Sequence, residues 1–273
     1  MNIRILGPFS AEMNGTSIVP AAGKPRQVLA LLSLKAGQMV PAQTLIDELW
    51  GAEPPRSVST TLQTYICQLR RRLDAAMGPD APRNAKDVLA TRHGGYVLQI
   101  PPAAVDVHEH ERLVAVGHAA FAAGDDEKAA ASYRAALNLW HDAVLADVPC
   151  GRVLKVERRR LEVARLVALE RRIDADLRLG RHTELLAELA GLTLRHPLHE
   201  GLHSQAMVAL YRAGRQAAAL NVYRRVRGFL VDRLGVEPSP QLQRLHQAIL
   251  DVDPRLTVAA GPRHTSTFDL YAA

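Results

Sequence analysis

A repeat with a period of 34 residues is the sequence feature that most constrains how this chain folds. Gly180 and Gly214 lie 34 residues apart in the similar segments LRLGRH and YRAGRQ, and an upstream copy aligns through Gly124. Small or large apolar residues recur five, nine and twelve positions after each glycine: Ala129, Leu185, Ala219, Tyr133, Leu189, Tyr223, Ala136, Leu192 and Val226. Such a period predicts helix pairs that bury surface by stacking on their neighbours. The alternative is a coincidental similarity among alanine-rich helices.

The repeat resembles the tetratricopeptide pattern. Pro197 lies seventeen residues after Gly180, where a tetratricopeptide unit usually has its proline. We therefore expect helices from Val105 to about Leu250, with a concave face for a protein or peptide partner that these residues do not identify.

The first hundred residues have a different pattern, which predicts a small α+β domain. Period-2 alternation marks a strand at Ile3, Ile5 and Leu6, and Asn14-Gly15 predicts a hairpin turn into residues 16–19. Apolar periodicity then predicts three helices, and a β-hairpin follows. The helices cover residues 25–36, 42–50 and about 57–73, and the strands of the hairpin cover 88–91 and 96–100.

The third predicted helix has one apolar and one polar face. Leu62, Ile66, Leu69 and Leu73 follow one another at spacings of four, three and four, which is typical of a buried stripe. The opposite face contains Ser57, Thr60, Thr64, Cys67, Gln68 and Arg71, and Arg70 and Arg72 flank it. These side chains are suited to base edges and phosphates, and no Asp or Glu occurs from 57 to 73. The alternative is an ordinary amphipathic helix with a solvated face.

Composition limits the remaining function classes. The 273 residues are 48% hydrophobic, which excludes wholesale disorder, and no apolar run approaches the ~18 residues of a membrane span. Two cysteines cannot form a disulfide framework, so we expect a reduced, cytoplasmic setting. Residues 1–100 contain 11 Lys and Arg against 7 Asp and Glu, and this excess of positive charge favours a nucleic-acid partner.

Residues 3–100 resemble the winged-helix DNA-binding domain of OmpR/PhoB-type response regulators. The segment RSVSTTLQTYICQLRRRL resembles their recognition helix, and ATRHGGYVL resembles their wing. The resemblance implies that Thr60, Thr61, Thr64, Gln68 and Arg70 face DNA and that Arg92 enters the minor groove, whose negative potential attracts arginine. The full predicted set of DNA contacts is Arg26, Ser57, Thr60, Thr61, Thr64, Gln68, Arg70, Arg71, Arg72, Arg92 and His93.

The order of the two modules resembles the Streptomyces antibiotic regulatory protein family, in which a winged helix precedes a bacterial transcriptional activation domain. We therefore expect a mainly α chain: a winged helix-turn-helix (α+β) over 1–100, tetratricopeptide-like helices over 103–251, and a flexible tail over 252–273. The resemblance implies a transcriptional activator that binds direct repeats of double-stranded DNA as a pair and recruits RNA polymerase, including its sigma factor, to antibiotic-biosynthesis genes. It implies a cytoplasmic, nucleoid-associated protein with no cofactor, metal or catalytic residue and no membrane contact.

Two other functions remain as alternatives. His199 and His203 match the H-E-x-x-H pattern of zinc hydrolases, although a glycine interrupts the motif and no third ligand is marked. We expect His199–His203 to cap and pack a repeat helix instead. The second alternative is a repeat scaffold whose winged helix binds protein.

Overall fold

The computed structural model describes residues 1–79, 81 and 83–257 of the chain. These residues fold into two compact units. The first consists of Met1–Val116 with Ser132–Ala168, and the second consists of Gly117–Ala131 with the residues from Leu169 onward. The domain limits 1–100 and 103–251 stay predictions. Of the predicted tail, residues 254–256 form a 3₁₀ turn, and residues 258–273 lie outside the described part of the chain.

The N-terminal part of the first unit contains two three-stranded sheets around a group of helices. Its elements are β1 (Asn2–Arg4), β2 (Ser10–Met13), β3 (Thr16–Ser17), α1 (Gly23–Leu34), β4 (Met39–Pro41), α2 (Ala42–Trp50), α3 (Val58–Met77), α4 (Ala85–Val88), β5 (Leu89–Arg92) and β6 (Gly95–Leu98). The first sheet has the order β1-β2-β3 and the second the order β4-β6-β5, and all their pairings are antiparallel. Apart from β4 and the short α4, which were not predicted, this is the predicted sequence of strands, three helices and hairpin.

Local chemistry accounts for most of these elements. Asn14 and Gly15 both have positive φ, 51° and 78°, as a tight hairpin turn between β2 and β3 requires. The sequence did not predict β4, a three-residue strand that pairs with β6, because it is too short to show alternation. α3 continues one turn beyond the predicted end at residue 73, and Gly78 with φ 80° follows it.

The remaining elements are helical. They are α5 (Asp106–Ala122), α6 (Asp126–Leu137), α7 (Arg152–Arg178), α8 (His182–Arg195), α9 (Glu200–Arg212), α10 (Gln216–Leu234) and α11 (Pro240–Leu250). The expectation of helix throughout 105–250 is wrong for residues 138–151, which form turns. Backbone N–H groups of that segment bond instead to the N-terminal strand region, as His141 does with the Leu6 carbonyl (2.9 Å) and Leu145 with the Ile5 carbonyl (3.1 Å).

The glycines of the 34-residue repeat mark the turns between paired helices. Gly124, Gly180 and Gly214 have φ of 76°, 77° and 74°, and each lies between two consecutive helices. A positive φ is costly for residues with a Cβ atom, which explains the recurrence of glycine. The nine repeat positions are buried except Tyr223, which is half-buried. The predicted fold class, mainly α with an N-terminal winged helix, is confirmed.

Candidate nucleic-acid interface

One face of α3 belongs to the core of the first unit. Leu62, Ile66, Leu69 and Leu73 are all at most 2% exposed. They pack in one apolar core with residues of α1 and the two sheets, such as Leu31 and Leu98. This burial fixes the rotation of the helix about its axis, so the opposite face must point to solvent.

The opposite face of α3 is polar and exposed. Thr61 is half-buried, while the other side chains predicted for this face are exposed: Ser57, Thr60, Thr64, Cys67, Gln68, Arg71 and Arg72. The hydroxyl of Thr64 donates to the Thr60 carbonyl (2.9 Å), and that of Thr61 donates to the Ser57 carbonyl (3.0 Å). Each hydroxyl keeps its lone pairs for another donor. We call this surface the α3 polar face.

Arg70 connects α3 to the hairpin that follows it. Its Nε and Nη2 atoms donate to the Leu89 carbonyl at 3.0 and 2.8 Å, and Nη2 also donates to Oγ1 of Thr91 at 2.8 Å. A charged donor bound to a backbone carbonyl forms one of the stronger hydrogen bonds in a protein. Arg70 therefore holds β5 at a fixed distance from α3.

The hairpin of β5 and β6 has the shape of a wing with a basic tip. Arg92 and His93 are exposed at the tip, and Gly94 has a φ of 80°. At Gly95 an added Cβ would lie 2.3 Å from the Val40 carbonyl oxygen, so only glycine lets β6 approach β4. The sequence RHGG thus exposes two basic side chains, Arg92 in the last residue pair of the hairpin and His93 in the turn that follows it.

Arg26 and Arg72 are engaged in contacts inside the first unit. The Nη1 atom of Arg26 lies 3.0 Å from a carboxylate oxygen of Asp147, and its Nε donates to the Pro20 carbonyl at 3.1 Å. Arg72 is exposed and makes one long contact of 3.4 Å with the Val19 carbonyl. The guanidinium of Arg26 is therefore less available to an outside partner than that of the exposed Arg71.

Two carboxylates that the sequence did not predict join the winged helix to the helical segments of the same unit. Glu48 of α2 is 3% exposed, and its two oxygens accept hydrogen bonds from the backbone N–H groups of Gly151 (2.6 Å), Val153 (2.7 Å) and Leu154 (3.0 Å) at the start of α7. Asp106 in the same way accepts from Ile5. A carboxylate on the apolar face of α2 was the available signal.

The described histidines of the H-E-x-x-H segment have structural roles. His203 is fully buried, and its Nε2 lies 3.1 Å from the Pro197 carbonyl oxygen. His199 precedes α9, and its Nδ1 lies 3.5 Å from Glu170. Within residues 1–79, 81 and 83–257, no three His, Cys, Asp or Glu side chains are grouped so that they could hold a metal ion. These contacts favour the packing role, whereas His199 is the N-cap residue of α9 and its side chain makes no capping hydrogen bond.

Comparisons with known proteins agree with this geometry. The family described as "Transcriptional regulatory protein, C terminal" matches residues 16–98, and the family described as "Bacterial transcriptional activator domain" matches residues 105–250. Among the helices of the described residues, none is long and apolar enough to cross a membrane.

Similar proteins are transcriptional regulators. The regulatory protein DnrI of Streptomyces peucetius is 51% identical over 93% of this chain and 93% of its own length. The transcriptional regulator RedD of Streptomyces coelicolor is 38% identical over 94% of this chain and 73% of its own. A solved structure of Mycobacterium tuberculosis EmbR in complex with a low-affinity phosphopeptide superposes with a TM-score of 0.86 at 33% identity, covering 93% of this chain and 65% of that one.

These relatives are regulators and not enzymes. The two family matches follow each other in the predicted order, and DnrI aligns over nearly its whole length. The chain therefore belongs to the Streptomyces antibiotic regulatory protein family of transcriptional regulators.

Proposed function

We propose that this protein activates transcription by laying the α3 polar face in the major groove of promoter DNA. The observation that carries the proposal is the division of α3 into a buried leucine and isoleucine stripe and an exposed face that has no carboxylate over residues 57–73. Asp74, in the last turn of α3, accepts a hydrogen bond from the backbone N–H of Ala85 at 3.0 Å. An α-helix fits the major groove, where short hydroxyls, an amide and guanidinium groups meet base edges and phosphates. A carboxylate on that face would repel the phosphates.

Individual side chains then have distinct roles. Gln68 reads a base edge, while Arg71 and Arg72 contact phosphates on either side. Ser57, Thr60, Thr61 and Thr64 complete the surface along the first turns of α3. Arg92 and His93 reach the adjoining minor groove from the wing tip, where the narrow groove concentrates negative potential.

Arg26 and Arg70, both predicted as DNA contacts, take positioning roles in this proposal. Arg70 holds the wing against α3 through Leu89 and Thr91, so it sets the distance between the two DNA-contacting elements. Arg26 makes an ion pair with Asp147 and thus supports the start of α1. Substitution of either residue would lower DNA affinity although neither contacts a base directly.

Recruitment of RNA polymerase is the proposed consequence of binding. Two copies occupy direct repeats close to a promoter of antibiotic-biosynthesis genes, and their surfaces hold the polymerase with its sigma factor. A favourable contact of about 1.4 kcal/mol raises the occupancy of a weak promoter tenfold. The relationship to DnrI and RedD supports the class of target genes, and such a protein works on the nucleoid in the cytoplasm.

Fluorescence anisotropy with a duplex from the promoter of the neighbouring genes tests the proposal. Gln68→Ala and Arg92→Ala should each weaken binding about tenfold, since a good base contact contributes ~1–3 kcal/mol. Affinity should also fall steeply with salt, because neutralised phosphates release counterions. Gln241→Ala and Arg244→Ala on exposed positions of α11 are the matched controls and should bind as the parent does. Unchanged affinity in the first pair would contradict the assignment, and capture of a protein without duplex binding at low salt would favour the scaffold.

A further inference from the structure

A row of exposed valines runs along the first half of α7. Val156 is 64% exposed, Val163 is 47% exposed and Val167 is 41% exposed, although these residues lie in a helix of a folded unit. Single exposed apolar residues are common on protein surfaces, but a line of them at helical spacing is a feature of interaction surfaces.

Basic side chains lie between the valines. Arg152, Lys155 and Arg159 are exposed, and among the described residues no hydrogen bond or ion pair engages their side chains. Two acids lie in the same segment: Glu157 is half-buried and contacts Lys35 and Arg160, and Glu162 lies 4.0 Å from Arg158. The exposed surface of 152–167 therefore combines apolar side chains with an excess of positive charge, since the segment contains six Lys and Arg against two Glu. We call it the α7 ridge.

The spacing on the α7 ridge is that of a seam for one partner helix. Arg152 and Arg159 are seven residues apart, as are Val156 and Val163, and the two pairs alternate at intervals of four and three. In paired helices the contact positions are apolar, and charged residues beside them select the partner. Val156 and Val163 would therefore supply the apolar contact, and Arg152 and Arg159 beside them would supply the charge. An extended strand or a flat surface would not match this line.

The α7 ridge is held in fixed relation to the helix-turn-helix. The first backbone N–H groups of α7 donate to the buried carboxylate of Glu48 in α2, the helix before α3. An added Cβ at Gly151 would lie 2.0 Å from the Glu48 carbonyl oxygen, so the two segments are in close contact. A partner bound to the ridge would thus be placed at a defined position relative to bound DNA.

We propose that the α7 ridge docks an acidic amphipathic helix of the transcription machinery. Charge decides between the possible occupants of the ridge. A second copy of this chain would bring the same arginines and lysine against each other, which is unfavourable. A helix whose carboxylates flank an apolar stripe would instead complement both the basic residues and the valines. DNA would use the basic residues but not the valines. This inference rests on the proposed function and specifies the surface and the partner chemistry through which recruitment occurs.

The test uses the full chain, its promoter duplex and purified RNA polymerase holoenzyme. Val156→Glu/Val163→Glu should lower polymerase-dependent transcription at least fivefold while duplex affinity stays within twofold of the parent protein. Leu194→Glu on α8, a position that is 68% exposed, is the control for placing a carboxylate on an exposed apolar site and should activate normally. Arg152→Glu/Arg159→Glu should have the same effect as the valine pair.

A second measurement does not depend on how the variants fold. With a photo-crosslinking p-benzoylphenylalanine in place of Val156, irradiation on the promoter should join the chain to a helical polymerase segment with net negative charge. Crosslinks to DNA, or to a second copy, would overturn the proposal, as would full activation by both double variants. Failure of the parent protein to bind the promoter or to activate would instead overturn the proposed function, so the two failures are distinguishable.

Discussion

The carboxylate of Glu48 accepts a hydrogen bond of 2.6 Å from the backbone N–H of Gly151, 103 residues further along the chain. It also accepts from Val153 and Leu154, and the amide of Gln27 donates to it at 2.7 Å. An acidic group is favourable at a helix N-terminus, where N–H groups lack partners within the helix. One side chain of the winged helix thus caps α7 within the same compact unit.

Glu48→Gln should destabilise this unit by about 1–3 kcal/mol, because a buried carboxylate with charged hydrogen bonds is replaced by an amide whose NH₂ group faces other donors. Urea unfolding followed by circular dichroism measures the effect. Glu53→Gln, at an exposed position after α2, is the control and should stay within ~0.5 kcal/mol of the parent protein. Equal stability of both variants would show that the buried contact contributes nothing.

Substitutions of Arg70 and Arg71 should distinguish a residue that positions the wing from a residue that contacts DNA directly. Arg70→Ala removes the bonds to Leu89 and Thr91, so amide hydrogen exchange in β5 should speed up and promoter affinity should fall. Arg71→Ala should lower affinity and the salt slope but leave exchange in β5 unchanged, since its side chain is exposed. If Arg70→Ala weakened DNA binding while amide hydrogen exchange in β5 stayed normal, Arg70 would contact DNA directly and the positioning role would be wrong.

The buried His203 should make the second unit less stable at acid pH. Burial lowers the pKa of His203 to about 4 from its ordinary 6.5, against a smaller opposite effect of the Pro197 carbonyl. Between these values the unfolded chain binds more protons than the folded one. The His203 contribution is therefore complete above about pH 6.5 and is lost as the pH falls to about 4.

Urea titrations at several pH values check this dependence. In that window the free energy of unfolding should fall by up to ~1.4 kcal/mol per pH unit because of this group. In His203→Gln the slope should decrease, and in His93→Gln, at the exposed wing tip, it should not change. Identical slopes in the parent and His203→Gln would refute the assignment.

Local patterns predicted the elements that depend on local chemistry. The spacing of Leu62, Ile66, Leu69 and Leu73 indicated the buried side of α3. The 34-residue spacing of Gly180 and Gly214 indicated the paired helices, and the structure places both glycines in the turns between them. The buried carboxylate of Glu48 escaped prediction because its partners lie more than 100 residues away, and no period or turn signal relates the two segments.

The basic residues show the same limit of prediction from local sequence. Sequence placed Arg26 and Arg70 among the DNA contacts with Arg71 and Arg92, since all carry the same fork of donors. The structure distinguishes them, because Arg26 lies against Asp147 and Arg70 against Leu89. A helical wheel orients a side chain around its own axis but does not show which carbonyl or carboxylate a distant segment brings to it.

Cys67 offers a direct probe of whether α3 enters the major groove, since it is exposed on the α3 polar face. In a Cys150→Ser background, an iron–EDTA reagent attached to Cys67 cuts the sugar–phosphate backbone close to its own position. We predict strong cuts centred on one major groove within each direct repeat of the promoter, and their loss in Gln68→Ala at limiting protein. Uniform cutting along the duplex, or no cutting under conditions where the labelled protein binds, would contradict the placement of α3 in the groove.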